Sequence, residues 1–127
     1  MVESRPYLKT TKCKIQNHTP VIECPDKVEA DKIFQIKLSL GNGIGHPDTN
    51  EHHICRVSLY YSDNEGKTVR QIAGIKYDSH SPNRDALSRY ETTVDAKIPE
   101  SGVLHAIAYC NIHGLAEAIK QITVFRT

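Results

Sequence analysis

Lys32 to Leu40 alternates residue by residue, with Phe34, Ile36, Leu38 and Leu40 falling on one side and Ile33, Gln35, Lys37 and Ser39 on the other. Strand side chains point to opposite faces with a period of two, so this run predicts a strand with one face buried. His53 to Tyr61 repeats the pattern: Cys55, Val57, Leu59 and Tyr61 share one face, and Ile54, Arg56, Ser58 and Tyr60 the other. Cys55 is therefore expected to be a small core residue. Val69 to Lys76, Arg89 to Ala96, Val103 to Cys110 and Ile119 to Phe125 are further strand candidates, while Val21 to Glu23 is short and ambiguous. Residues suited to turns separate these runs at Gly41-Asn42-Gly43, Asp63-Asn64-Glu65-Gly66, Ser81-Pro82-Asn83 and Pro99-Glu100-Ser101-Gly102. Leu115 to Lys120 can be read as a helical turn, but it is too short to change the class. The pattern points to an all-β fold, an antiparallel sandwich in preference to a barrel.

A chain of 127 residues is near the commonest size of one domain, so one unit over 1–127 with one core is expected. Residues 1–14 read as a loosely ordered N-terminal extension. Sixteen Lys plus Arg against fifteen Asp plus Glu give a net charge of +1, with no basic stripe and few aromatics, which argues against a nucleic-acid partner. Met1 to Lys14 is polar and lacks an apolar core segment, and no stretch approaches the roughly 20 apolar residues of a membrane helix. A cytoplasmic protein is expected, with no membrane partner. Cys13, Cys24, Cys55 and Cys110 show neither CxxC pairing nor regular spacing, so reduced thiols are expected, with Cys13 and Cys24 exposed.

Two segments concentrate chemistry: His46-Pro47-Asp48-Thr49-Asn50-Glu51-His52-His53 and Cys110-Asn111-Ile112-His113-Gly114. A Cys and a His three apart, just past a strand and released by a Gly, can curl around one metal ion. CxxH alone is a weak signal. In the other segment Pro47 fixes the backbone after the first imidazole, and His52 returns to the start of a strand. With His18 added, four nitrogens and a thiolate form a plausible set. A structural zinc site normally closes with four ligands, whereas a His-rich site with one thiolate suits a redox-active or open-site metal, iron or copper before zinc. Blue copper carries a weak axial ligand, usually Met, and the single Met here is Met1.

Three segments, His18-Thr19-Pro20-Val21-Ile22-Glu23, His46-Pro47 to Glu51-His52-His53-Ile54, and Tyr109-Cys110-Asn111-Ile112-His113-Gly114, resemble in order and spacing the signatures of the superoxide reductases. The likeness is to the one-iron, neelaredoxin-like kind and to the C-terminal iron domain of desulfoferrodoxin. It runs from His18 to about Phe125. The resemblance implies an immunoglobulin-like β-sandwich with one exposed mononuclear non-haem iron (Fe2+/Fe3+). His18, His46, His52 and His113 would be equatorial ligands and the Cys110 thiolate the axial one. It implies one-electron reduction of superoxide to hydrogen peroxide without release of dioxygen, the thiolate favouring electron transfer and main-chain N–H groups around Asn111 to His113 tuning the sulfur. No rubredoxin-like segment with four cysteines is found here, so a rubredoxin-like protein is the expected electron donor. A homo-oligomer, tetramer or dimer, is expected by resemblance.

The sequence departs from the family where a Glu-Lys pair commonly precedes the first ligand: Gln16 and Asn17 occupy those positions. Gln lacks the charge to compete as a ferric ligand and Asn cannot attract superoxide, so Lys14 is the nearest substitute for a catalytic cation. His53, His80 and His105 are expected to be surface or hydrogen-bonded residues outside the site, and Glu23 and Glu51 either acceptors for imidazole N–H groups or, at least as well, solvated carboxylates. An alternative to the enzyme is a non-catalytic iron-binding or electron-transfer module that keeps the ligands. A structural zinc domain would leave the surplus ligands unexplained.

Overall fold

The structure, a computed structural model, describes residues 19–40, 48–80 and 90–127. Among them lie eight strands and no helix: β1 (Val21–Glu23), β2 (Lys27–Glu29), β3 (Phe34–Ser39), β4 (Ile54–Asp63), β5 (Val69–Lys76), β6 (Glu91–Ala96), β7 (Gly102–Cys110) and β8 (Gly114–Phe125). They form a three-stranded sheet, β1-β3-β6, and a five-stranded sheet, β2-β8-β7-β4-β5. Ile36 and Leu38 of the first sheet join Val57, Leu59, Leu104, Ala106, Ala108 and Ile122 of the second in one apolar cluster. This is the expected immunoglobulin-like sandwich. One pairing departs from the antiparallel scheme: β2 runs parallel to β8 at the sheet edge, with Val28 beside Val124. No helix among the described residues is long and apolar enough to cross a membrane.

The alternation of Phe34 to Leu40 holds: Ile36 and Leu38 are almost fully buried while Ile33 is 72% exposed. The second alternating run breaks at its start. Ile54 pairs with Cys110 but Arg56 pairs with Tyr109, so Cys55 is the extra residue of a β-bulge. A bulge shifts the inward and outward pattern by one residue. Ile54 therefore enters the core and Cys55 is only half-buried, a correction to the expected core role. Cys24, expected to be exposed, is half-buried against the core, and burial pushes its thiol pKa up.

Leu115 to Lys120 is strand, not a helical turn, paired throughout with β7. Its periodicity was obscured because polar and apolar residues occur on both faces: Leu115, Glu117 and Ile119 alternate with Ala116, Ala118 and Lys120, and the neighbours Ala116 and Glu117 are each 2% exposed. Val21 to Glu23 is a strand, and β2 went unforeseen because three residues carry no period. The predicted strand at Arg89 to Ala96 is described from Glu91. The turns predicted at 41–43 and 81–83, the extension at 1–14 and Cys13 lie outside the described residues.

Two glycines in the large sheet differ in what a side chain would meet. A Cβ on Gly102 would collide with the Ser62 carbonyl oxygen and stand 2.7 Å from the Tyr61 ring, whereas on Gly74 it would meet only the end of the Gln71 side chain. Gly102→Ala is expected to destabilise by about 1–3 kcal/mol, as overpacking does, and Gly74→Ala by much less. Urea unfolding of both variants checks the contrast.

The Tyr61 hydroxyl donates to the Glu100 carbonyl at 2.7 Å. Burial, with the Glu100 and Asp63 carboxylates adding to it, pushes its pKa up to about 12. An unfolded tyrosine titrates near about 10. Between those values the unfolded chain releases a proton that the folded one keeps, so this contribution is complete below pH about 10 and is lost as pH rises to about 12. Burial raises Tyr77 and Tyr90 in the same direction. Unfolding midpoints measured from pH 8 to 12 are expected to fall steepest above 10.

Candidate metal centre

β7 ends on Cys110 and β8 begins on Gly114, directly opposite it in register, leaving Asn111, Ile112 and His113 as the connecting loop. Gly114 has φ of +86° with nothing near a would-be Cβ, so the backbone conformation, not space, selects glycine. The Cys110 side chain is 1% exposed at the end of the core, across from Ile54. His113, half-buried, sets Nδ1 3.6 Å from Cys110 Sγ. His52 reaches the same point from the segment before β4. There, Thr49 and His52 exchange main-chain hydrogen bonds at 3.0 and 3.2 Å. The His52 and His113 rings meet edge to face, centroids 5.0 Å apart. One donor atom from each of His52, Cys110 and His113 lies within 4.8 Å of the others.

Metal–nitrogen bonds of about 2.0–2.1 Å and metal–sulfur bonds of about 2.3 Å put ligand atoms on opposite sides of an ion about 4.4 Å apart, and adjacent ones nearer. Cys110 Sγ and His113 Nδ1, 3.6 Å apart, fall within that range, and His52 brings its donor within 4.8 Å of both. A single buried sulfur among imidazoles is a donor set that suits iron, copper or zinc. His18, His46 and Lys14, with Gln16 and Asn17, lie outside the described residues.

Further groups brace this end of the sandwich. The His53 ring donates from Nδ1 to the Thr49 carbonyl at 2.8 Å and stacks on His80, centroids 3.7 Å apart and planes 6° from parallel. His80 Nδ1 and the Tyr90 hydroxyl both bond Asp48 Oδ1, at 2.8 and 2.9 Å, and Tyr90 in turn accepts the Ile54 N–H at 3.0 Å. Asp48 and Tyr90 were not singled out by sequence reasoning, and a contact spanning 42 residues leaves no local spacing to read. Asn111 bonds across to residues 51 and 53; its N–H goes to the His53 carbonyl at 3.1 Å, not to the sulfur as anticipated. The signal for Asn111 in the sequence is a polar residue inside the CxxH. His53, His80 and His105 are hydrogen-bonded residues outside the three-donor cluster, as expected, and Glu23 and Glu51 are exposed, which agrees with solvated carboxylates.

A sandwich that brings one cysteine sulfur and two imidazoles to one point at its end defines a small β-sheet protein with a donor set suited to a metal ion. The family model described as Desulfoferrodoxin matches residues 10–119, and the chain belongs to that family. The neelaredoxin of Megalodesulfovibrio gigas is 35% identical over 122 residues, covering 91% of this chain and 94% of the relative. A superoxide reductase of Pyrococcus abyssi is 34% identical over 115 residues, covering 91% and 95%. Among solved structures, the superoxide reductase of Nanoarchaeum equitans superimposes with a TM-score of 0.76 at 30% identity, over 91% of this chain and 100% of the other. The superoxide reductase (neelaredoxin) of Ignicoccus hospitalis does so at 0.73 and 38%, over 85% and 81%.

Proposed function

We propose that this chain is a superoxide reductase that takes superoxide and two protons to hydrogen peroxide without releasing dioxygen. The observation that carries the reading is the convergence of Cys110, His52 and His113 within 4.8 Å at one end of the fold, in a chain of the desulfoferrodoxin family. His18, His46, His52 and His113 with the Cys110 thiolate are the ligands we assign to a single iron. When bound, that iron supplies the one electron that superoxide accepts.

The chain's own residues do the rest. Cys110 brings the one anionic donor of the set, and its burial at 1% exposure keeps the sulfur from solvent oxidants. The imidazoles add no negative charge, so an incoming anion is not repelled by them. The Tyr90–Asp48–His80 bonds and the His53 stack hold the segment that delivers His52. Lys14 is assigned the role of attracting superoxide, since Gln16 and Asn17 carry no charge. With net charge near zero, a local cation dominates steering. Lys14→Ala is expected to lower the second-order rate and flatten its dependence on salt; a rate and salt slope equal to the parent's would remove Lys14 from the role. A rubredoxin-like electron donor, a homo-oligomer of two or four chains and a cytoplasmic setting complete the reading, resting on family resemblance.

Stopped-flow mixing of superoxide with the reduced, iron-loaded protein tests the proposal, with peroxide and oxygen quantified together. Rapid oxidation with peroxide and no oxygen is the expected result. Thiolate-to-iron absorption present, but oxidation no faster than spontaneous disproportionation, favours the second reading. That reading is an electron-transfer or iron-binding module, and its support is the Gln16-Asn17 departure.

A further inference from the structure

Asn111 makes three hydrogen bonds from the β7–β8 loop to the segment before β4. Its Oδ1 accepts the His53 N–H at 2.8 Å, its Nδ2 donates to the Glu51 carbonyl at 3.1 Å, and its own N–H donates to the His53 carbonyl at 3.1 Å. The partners stand immediately before and after His52, 58 and 60 residues away in the chain. Asn111 itself follows Cys110 directly and precedes His113 by two residues. One side chain thus ties both neighbours of one donor to the loop that carries the other two.

We propose that Asn111 is a positioning residue for the metal centre: it clamps residues 51 and 53 so that His52 is registered against Cys110 and His113 before an ion binds. The inference rests on reading those three residues as ligands. Asn111 is exposed, so it contributes little by burial, and the core that holds both sheets together lies elsewhere. Its amide matches the task because it offers an acceptor to an N–H and a donor to a carbonyl at once. Asp keeps the acceptor but has no donor for the Glu51 carbonyl. Ala keeps only the main-chain bond. Residues that orient metal ligands typically alter affinity by about 10–100-fold when removed.

The test titrates the full-length apoprotein with Co2+ against a competing chelator, reading the thiolate-to-cobalt absorption, with thermal unfolding of each apoprotein alongside. Asn111→Ala is expected to weaken Co2+ binding about 10–100-fold and shift the band while leaving apoprotein unfolding close to the parent's. Asn111→Asp is expected to show a band between the two. Ile112→Ala, a change at the exposed tip of the same loop, is expected to bind as the parent does. Affinity and band for Asn111→Ala equal to the parent's overturn the clamp, as does a weakening matched by Ile112→Ala. Should Asn111→Ala not fold, a parent-like band and affinity in Asn111→Asp overturn it, and an altered band supports it. A parent protein with no thiolate-to-cobalt band would instead remove the metal-centre reading itself.

Discussion

Replacing Cys110 with Ser is expected to remove the thiolate-to-metal absorption and to cut the rate with superoxide by about a hundredfold or more. Changes to residues that only orient a ligand cost about 10–100-fold, and Cys110 is assigned as a ligand itself, the one anionic donor in the set. A serine hydroxyl ionises far too weakly to stand in for a thiolate. The fold should survive. Cys110 is the last residue of β7, held by main-chain pairing to Ile54 and Gly114, and that pairing does not involve the sulfur. A hydroxyl at a position 1% exposed costs about 1–3 kcal/mol if it finds no partner. Metal content, the absorption spectrum and stopped-flow rates measure the effect, and circular dichroism separates it from unfolding. A variant that keeps its band, or a rate within tenfold of the parent, would show that Cys110 is not the thiolate ligand.

His105→Leu and Glu117→Leu are each expected to destabilise by about 3 kcal/mol or more, and the double variant by much less than their sum. His105 Nδ1 and Glu117 Oε2 lie 2.7 Å apart, and Ser62 Oγ lies 3.1 Å from His105 Nε2. All three residues are 2–3% exposed. They occupy the side of the large sheet that faces away from the shared core, because Leu104, Ala106 and Ala108 take the inward positions of β7. Removing one partner breaks the 2.7 Å contact where water does not reach, at about 3–5 kcal/mol for a buried pair, whereas replacing both with apolar groups is often neutral. A single variant should lose on the order of 10 °C in Tm. His105 stands five residues from Cys110 along one strand, about 17 Å, so the metal spectrum of the folded fraction should not change. A double-mutant cycle by denaturant decides the matter: additive single effects would show that the two side chains do not stabilise one another.

The strand pattern, the class of fold and the ligand motifs were open to reading from residue order because each has a local cause. Phe34 to Leu40 shows its buried face through a period of two, and the spacing within Cys110 to Gly114 reflects one loop between two strands. The resemblance of three ordered segments likewise needed only residue types and their order. Tertiary structure decided what depends on pairing between distant strands. The bulge at Cys55 exists only because Ile54 and Arg56 have consecutive partners, Cys110 and Tyr109, on β7, and it turned Ile54 rather than Cys55 inward. Leu115 to Lys120 shows no period because inward Ala116 and outward Glu117 are equally buried. The Asn111 clamp and the Tyr90–Asp48–His80 bonds join segments 32 to 60 residues apart. Sequence spacing determines which donors are available to the metal centre; long-range hydrogen bonding determines where His52 sits, because distance in space between remote segments is set only by the packed fold.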